Sequence, residues 1–291
     1  MSDILNQISD AVRTDFESQK PILTYAQYID LMSENPKRHA RNVVQTVRDC
    51  FDHYGRDVSE NGDKRTRFNL FDAPWAEGVD RLVGHEAAQV AVYRLFESFV
   101  REGRINKLIL LHGPNGSAKS TFVNSIMRAL EDYSHSPEGA LYRFNWVFPS
   151  EHVTATGSIG FGSGGRTVDL DSLDSFAFLE EDQIDAKIKS DLNDHPLLLL
   201  PTSERQKLLA ELLPEKYDEN GTPEFVVSDY ILEGDLSHTS RQIFDALMNA
   251  YHGDLMLVLK HVQVERFFIS RRYRVGAVTV EPQMRVDAGM R

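Results

Sequence analysis

Apolar residues recur at three- and four-residue steps through the first part of the chain, then give way to short apolar runs alternating with amphipathic stretches. Ile4, Leu5, Ile8, Val12 and Phe16 fall on one face of a helix. A second helix is predicted over Tyr25 to Glu34, halted ahead of Pro36, and a third from about Arg38 to Tyr54, closed by Gly55. Residues 56 to 78 are polar and contain Gly62, Pro74 and Gly78. The organisation read from this pattern is a helical region over 1–60, a linker over 61–78 and one larger domain over 79–291.

Past residue 79 helices and strands alternate. Ala88, Val92, Leu95, Phe96 and Phe99 share one face of a helix from His85 to Arg101 that closes at Gly103. The run Lys107 to His112 is too short for a helix between its neighbours and reads as a buried central strand. A helix from Ser120 is predicted to turn Val123, Ile126, Met127 and Leu130 inward, and a strand follows at Tyr142 to Phe148. Residues 154 to 175 form a Gly/Ser/Asp-rich loop. Ser203 to Gln206 and Thr239 to Gln242 each fit a capping box and predict helix starts, and Val275 to Val280 alternates like a strand. The fold class predicted is α/β, a mainly parallel sheet flanked by helices and preceded by a small helical region. No solenoid-length repeat is visible.

Charge and cysteine content narrow the setting. Forty-four acidic against 32 basic residues leave a net charge of −12, a field that repels phosphate backbones, so no nucleic-acid partner is expected. Cys50 is the one cysteine, which excludes an internal disulfide and any Cys-rich zinc site and fits a reducing, cytoplasmic compartment. It falls in the third helix and reads as a small buried hydrophobe. The first twenty residues carry Asp3, Asp10, Arg13, Asp15, Glu17 and Lys20, which denies them a signal-peptide apolar region, and no apolar run is long enough to span a bilayer.

The most informative stretch is Gly113-Pro114-Asn115-Gly116-Ser117-Ala118-Lys119-Ser120-Thr121, between a predicted strand and a predicted helix start. That order is the one a phosphate-binding loop needs. Glycines let successive backbone N–H groups wrap an anionic oxygen, and the helix start adds partial positive charge. Lys119 is placed to lie across the β- and γ-phosphates, and the Ser120 hydroxyl to complete the shell of Mg²⁺. The ligand class is MgATP or a near relative. The pattern G-x-x-x-x-G-K-[ST] has glycine where this chain has Ala118; alanine adds one methyl and suits the helical conformation expected there.

Other signals carry less. Gly160-Phe161-Gly162-Ser163-Gly164-Gly165 matches G-x-G-x-x-G by spacing, but no clean strand enters it and no kinase catalytic-loop motif accompanies it, so the Gly157 to Gly165 loop has no assigned role. Phe176 to Asp182 is either an apolar strand ending in acids, making Glu180 and Glu181 candidates for the hydrolytic acid site, or an ordinary helix start with a solvated face. The ten histidines lack metal-ligand spacing. Arg266 to Arg274 is a basic patch interleaved with aromatics, read as a strand edge, a phosphate or subunit contact, or a nucleic-acid patch.

With the loop placed, the chain resembles the N-terminal AAA+ region of the PrkA family, bacterial serine protein kinases. The resemblance is carried by Thr24 to Pro36 with its Glu34-Asn35-Pro36 stop, Arg41-Asn42, Leu82-Val83-Gly84-His85-Glu86, His195 to Pro201, Val264 to Ser270 and Val278 to Pro282. It implies that Val83 and Gly84 belong to a segment cupping adenine, that ATP and Mg²⁺ are the cofactors, and that the full protein forms homo-oligomers whose sites a neighbouring arginine completes. Family members are longer, so the resemblance also implies that the hydrolytic and phosphotransfer residues follow Arg291 and that the chain is a fragment. The implied activity is ATP-dependent serine protein kinase on an unidentified protein substrate. An ATP-driven remodelling or proteolytic machine, or a non-catalytic ATP-gated interaction platform, stands as the alternative.

Overall fold

The computed structural model describes residues 21–58, 66–150, 173–214 and 225–280, with positions 5, 6, 9, 216, 217, 221 and 223. In chain order the elements are β1 (Ile22–Thr24), α1 (Tyr25–Glu34), α2 (Pro36–His39), α3 (Val43–Tyr54), β2 (Arg56–Val58) and β3 (Thr66–Phe68). There follow α4 (Glu86–Glu102), α5 (Lys119–His135), β4 (Leu141–Pro149), β5 (Ile184–Lys189), α6 (Thr202–Leu212), α7 (Asp229–Glu233), α8 (His238–Ala250), α9 (Leu255–Lys260) and β6 (Val262–Phe267). Short 3₁₀ turns join several of them. The chain forms two compact units, one built from residues 1–49, 91–109 and 140–267, the other from 50–90, 110–139 and 268–291.

Among the described residues the mainly parallel sheet expected from the alternation of elements is not present. The first unit holds a four-stranded sheet of order β1-β6-β4-β5 in which every pairing is antiparallel. The reason is legible in β4. Phe144 and Trp146 are fully buried on one face, while Arg143 and Asn145 point to the other, where they lie opposite Glu265 and Gln263 of β6. That two-faced alternation belongs to antiparallel sheets, whereas an interior parallel strand is apolar on both faces.

The run 107–112, read as the central strand, enters no ladder among the described residues, and Leu108 and Leu110 are 90% and 80% exposed. Its apolar composition was the right kind of signal, but a strand exists only where a neighbour accepts its hydrogen bonds. The predicted strand at 275–280 is likewise absent, leaving a single antiparallel bridge between Ser270 and Val275.

Helices follow the sequence more closely. α1 coincides with its predicted span, because Thr24 and Gln27 form a capping box at its start and Asn35-Pro36 stops it. The third predicted helix is broken into α2 and α3, and α3 opens on a reciprocal pair in which Asn42 and Gln45 accept from each other's backbone N–H at 2.8 Å. The helices predicted at Ser203 and Thr239 exist as α6 and α8, but their caps are Pro201 and Ser237, so neither hydroxyl–glutamine signal is the cap. The amphipathic reading over residues 4–16 falls outside the described residues, apart from positions 5, 6 and 9, which are helical.

In the first unit Tyr28, Met32, Phe144, Trp146, Leu197, Leu199, Leu209, Ile231, Val258 and Val264 make one core. Arg205 of α6 is 1% exposed within this unit. Its guanidinium donates to the Leu200 and Gly234 carbonyls at 3.2 and 2.7 Å, and more loosely to those of Leu197 and Leu232. A positive charge is thus used to close backbone carbonyls at the turn Pro196–Leu199 and at the end of α7. On the polar face of the sheet, burial works to raise the Glu265 pKa. A 2.6 Å hydrogen bond from Asn145, with Arg143 and Lys187 nearby, outweighs it and holds the carboxyl below its usual range.

In the second unit β2 and β3 form a hairpin, and Phe51 packs edge-on against Phe68 and Phe71. Phe71 in turn meets Phe122 of α5 with ring centroids 4.7 Å apart. The buried face of α5 is therefore Phe122, Ser125, Ala129 and Tyr133, not the Val123, Ile126, Met127 and Leu130 stripe; Leu130 is buried, but Val123 is exposed. Ser125 is buried there with its hydroxyl donating to the Thr121 carbonyl at 3.0 Å, a residue that a count of hydrophobic positions does not register. Among the described residues no helix is long and apolar enough to cross a membrane.

Candidate functional site: the glycine turn opening α5

The second unit contains the whole of the turn singled out in the sequence. Residues 113–118 run without regular structure into α5, which begins at Lys119. Two conformations make the turn possible: Gly116 at φ 81° and Ala118 at φ 57°, ψ 20°. Ala118 is thus in the left-handed region, not in the helical conformation expected for it, and it is there that the phosphate-loop pattern has glycine. Gly113 is tight for another reason. A Cβ on it would lie 2.9 Å from the Ser117 hydroxyl oxygen, which itself donates to the Pro114 carbonyl at 2.8 Å.

Lys119 folds back over this turn. Its ammonium donates to the Gly113 and Pro114 carbonyls at 2.8 and 2.7 Å and to the Ser117 hydroxyl at 3.2 Å, using all three of its donor directions. The start of α5 has no side-chain cap and no acidic residue in its first turn. The N–H groups that every helix leaves open at its start are therefore not closed by the chain's own side chains. Ser120 is exposed and Thr121 half-buried. A long helix opening on bare N–H groups, with one ammonium held over a glycine turn, is a donor set for an anion of phosphate type. The residues present fit that ligand. Ser120 is the exposed hydroxyl at this helix start.

The segment holding Val83 and Gly84 lies in the same unit. Gly84 (φ 84°) and His85 (φ 63°) make a left-handed corner before α4. Gln89 fixes this corner: its Nε2 donates to the Gly84 carbonyl at 3.0 Å, and its Oε1 accepts from the Phe68 N–H at 3.0 Å. Nothing in the sequence marked Gln89, a buried amide on a helix face otherwise read as apolar. Arg128 of α5 reaches Asp80 at 3.0 Å, tying the segment before this corner to the helix of the turn. Val83 is exposed.

Glu180 and Glu181 belong to the first unit. No strand leads into them: residues 176–180 are turn and irregular backbone, Glu180 caps the 3₁₀ turn Glu181–Gln183, and both carboxylates are exposed. The strand of this region, β5, comes after the acids. Among the described residues no group of three or more His, Cys, Asp or Glu side chains could hold a metal ion. The G-x-G-x-x-G stretch falls outside the described residues.

No family model, no curated protein and no solved structure matches this chain.

Proposed function

We propose that this chain is a nucleotide-binding module of a PrkA-like serine protein kinase and that it takes MgATP on the turn 113–118 and the start of α5. One observation carries the reading: the Lys119 ammonium is gathered over a glycine turn at the uncapped N-terminus of a seventeen-residue helix. Gly113, Pro114, Asn115, Gly116, Ser117 and Ala118 supply backbone to the phosphates, Lys119 a point charge, and Ser120 and Thr121 hydroxyls, Ser120 toward Mg²⁺. Val83 and Gly84 are the candidates for the base. The kinase assignment is supported by the motif resemblance alone, and no residue of the chain is given a phosphotransfer role.

For nucleotide to bind, the ammonium exchanges loop carbonyls for phosphate oxygens. That exchange favours the charge-assisted partner. Isothermal titration of Lys119→Ala with MgATP tests it: binding by the unaltered chain and none by the variant, with the far-ultraviolet circular dichroism of both the same, is the expected result. Undiminished binding by the variant removes the assignment.

A further inference from the structure

Three donors converge on one backbone oxygen of the glycine turn. The Pro114 carbonyl accepts from the Ser117 N–H at 3.3 Å, from the Ser117 hydroxyl at 2.8 Å and from the Lys119 ammonium at 2.7 Å. The same ammonium donates to the Ser117 hydroxyl oxygen at 3.2 Å, so Lys119, Ser117 and Pro114 close a ring of hydrogen bonds. The Gly113 carbonyl, at 2.8 Å, takes the remaining donor direction. Members of such a ring polarise one another, which strengthens each bond.

The place of the hydroxyl depends on residue 113. A Cβ there would come within 2.9 Å of the Ser117 Oγ, so glycine leaves the space that the hydroxyl occupies. Ser117 and Lys119 are half-buried, while residues 114–116 are exposed. An ammonium has three N–H directions, and the turn uses all of them. A phosphate oxygen is received only when at least one is given up. Two of the three acceptors are main-chain carbonyls, which any sequence would supply. The third is a side chain.

On the nucleotide reading, on which this step rests, we infer that Ser117 is a positioning residue that acts through Lys119 and against the nucleotide. Its hydroxyl holds the ammonium in the turn before nucleotide arrives, and that hold is released on binding. The apparent affinity is the intrinsic one reduced by the fraction of molecules whose ammonium is free, and weakening the closed form raises that fraction. Removing the hydroxyl therefore tightens binding. A hydroxyl that itself held phosphate would weaken binding on removal, so the sign of the change separates the two roles.

Two measurements on the full chain and its variants Ser117→Ala and Ser117→Thr test this, with the circular dichroism of all three the same. Without nucleotide, reductive methylation followed by mass spectrometry reads the rate at which the Lys119 amine reacts. Ser117→Ala is expected to raise that rate about fivefold, the equivalent of one ordinary hydrogen bond, and Ser117→Thr, which keeps the hydroxyl, to leave it near the unaltered value. In isothermal titration with MgATP, Ser117→Ala is expected to bind about fivefold more tightly and Ser117→Thr within about twofold of the unaltered chain. An unchanged Lys119 rate in Ser117→Ala, an MgATP affinity equal to or below that of the unaltered chain, or a Ser117→Thr that behaves like Ser117→Ala overturns the role of the hydroxyl. No MgATP binding by any of the three, with the amine rates as expected, removes the nucleotide reading alone and supports the hold on Lys119.

Discussion

Ala118 sits where its own methyl group is disfavoured. A left-handed residue with a Cβ costs roughly 1–2 kcal/mol, part of which a glycine gives back by the larger freedom it has in the unfolded chain. Ala118→Gly is therefore expected to stabilise the protein by about 0.5–1 kcal/mol. It should also leave nucleotide binding at least as tight, since the turn no longer holds strain against the ligand. A urea titration reads the first effect as a higher midpoint at unchanged slope, and a lower midpoint would show that the methyl group has packing value. The residue types of the turn were legible from the sequence; the left-handed backbone at Ala118 was not, because one residue's φ is set by where the flanking segments must go.

Arg205 shows the same limit one level up. As an exposed member of a helix rich in charged residues it would carry no special weight, yet the turn Pro196–Leu199 and the end of α7 both present carbonyls to it. Arg205→Met keeps the length and removes every donor, leaving the Leu200 and Gly234 carbonyls without the guanidinium that closes them. The expected cost is about 3–5 kcal/mol, read as a fall in the urea midpoint, and a loss below about 1 kcal/mol would mean that water reaches those carbonyls. Among the helices, spans with local stop signals were readable: α1 is bounded by Thr24 and Asn35-Pro36. Strand pairing was not, since one partner of β4 is β5 and the other, β6, lies more than a hundred residues away.

Acid sensitivity belongs to the molecule as a whole. His39 and His195 lie in one aromatic group with Tyr28 and Tyr142. Burial, with Arg38 and Arg41 adding to it, pushes the His39 pKa down to about 4, and burial does the same to His195. Burial keeps the His195 ring neutral, with Arg205 adding to it, against the opposing effect of its bond to the His39 carbonyl. Its Nε2 meets the His39 carbonyl at 2.8 Å, leaving Nδ1 to accept from the Leu197 N–H at 3.3 Å. Because the folded values lie below the ordinary histidine value near 6.5, the unfolded chain takes up the protons first. Stability is then undiminished above about pH 6.5 and is lost as pH falls from there to about 4. Each ring contributes about 1.4 kcal/mol per pH unit, or about 4 kcal/mol for the pair at pH 5. Urea midpoints across that window measure it. His195→Gln should remove about half the slope, and a flat profile in the unaltered chain would contradict the burial of both rings.

What the sequence settled by itself are the features set within a few residues: the span of α1, the strand at β4, and the glycine, lysine and hydroxyl composition of the turn before α5. Local hydrogen bonds and side-chain preferences decide these, and both are written in adjacent positions. The direction of the sheet, the fate of the apolar run 107–112, the buried face of α5 and the placement of Glu180 and Glu181 outside the unit that holds Lys119 were decided only in three dimensions. Each depends on which distant segment supplies the other half of a ladder or a core, and residue type at one position does not encode its partner.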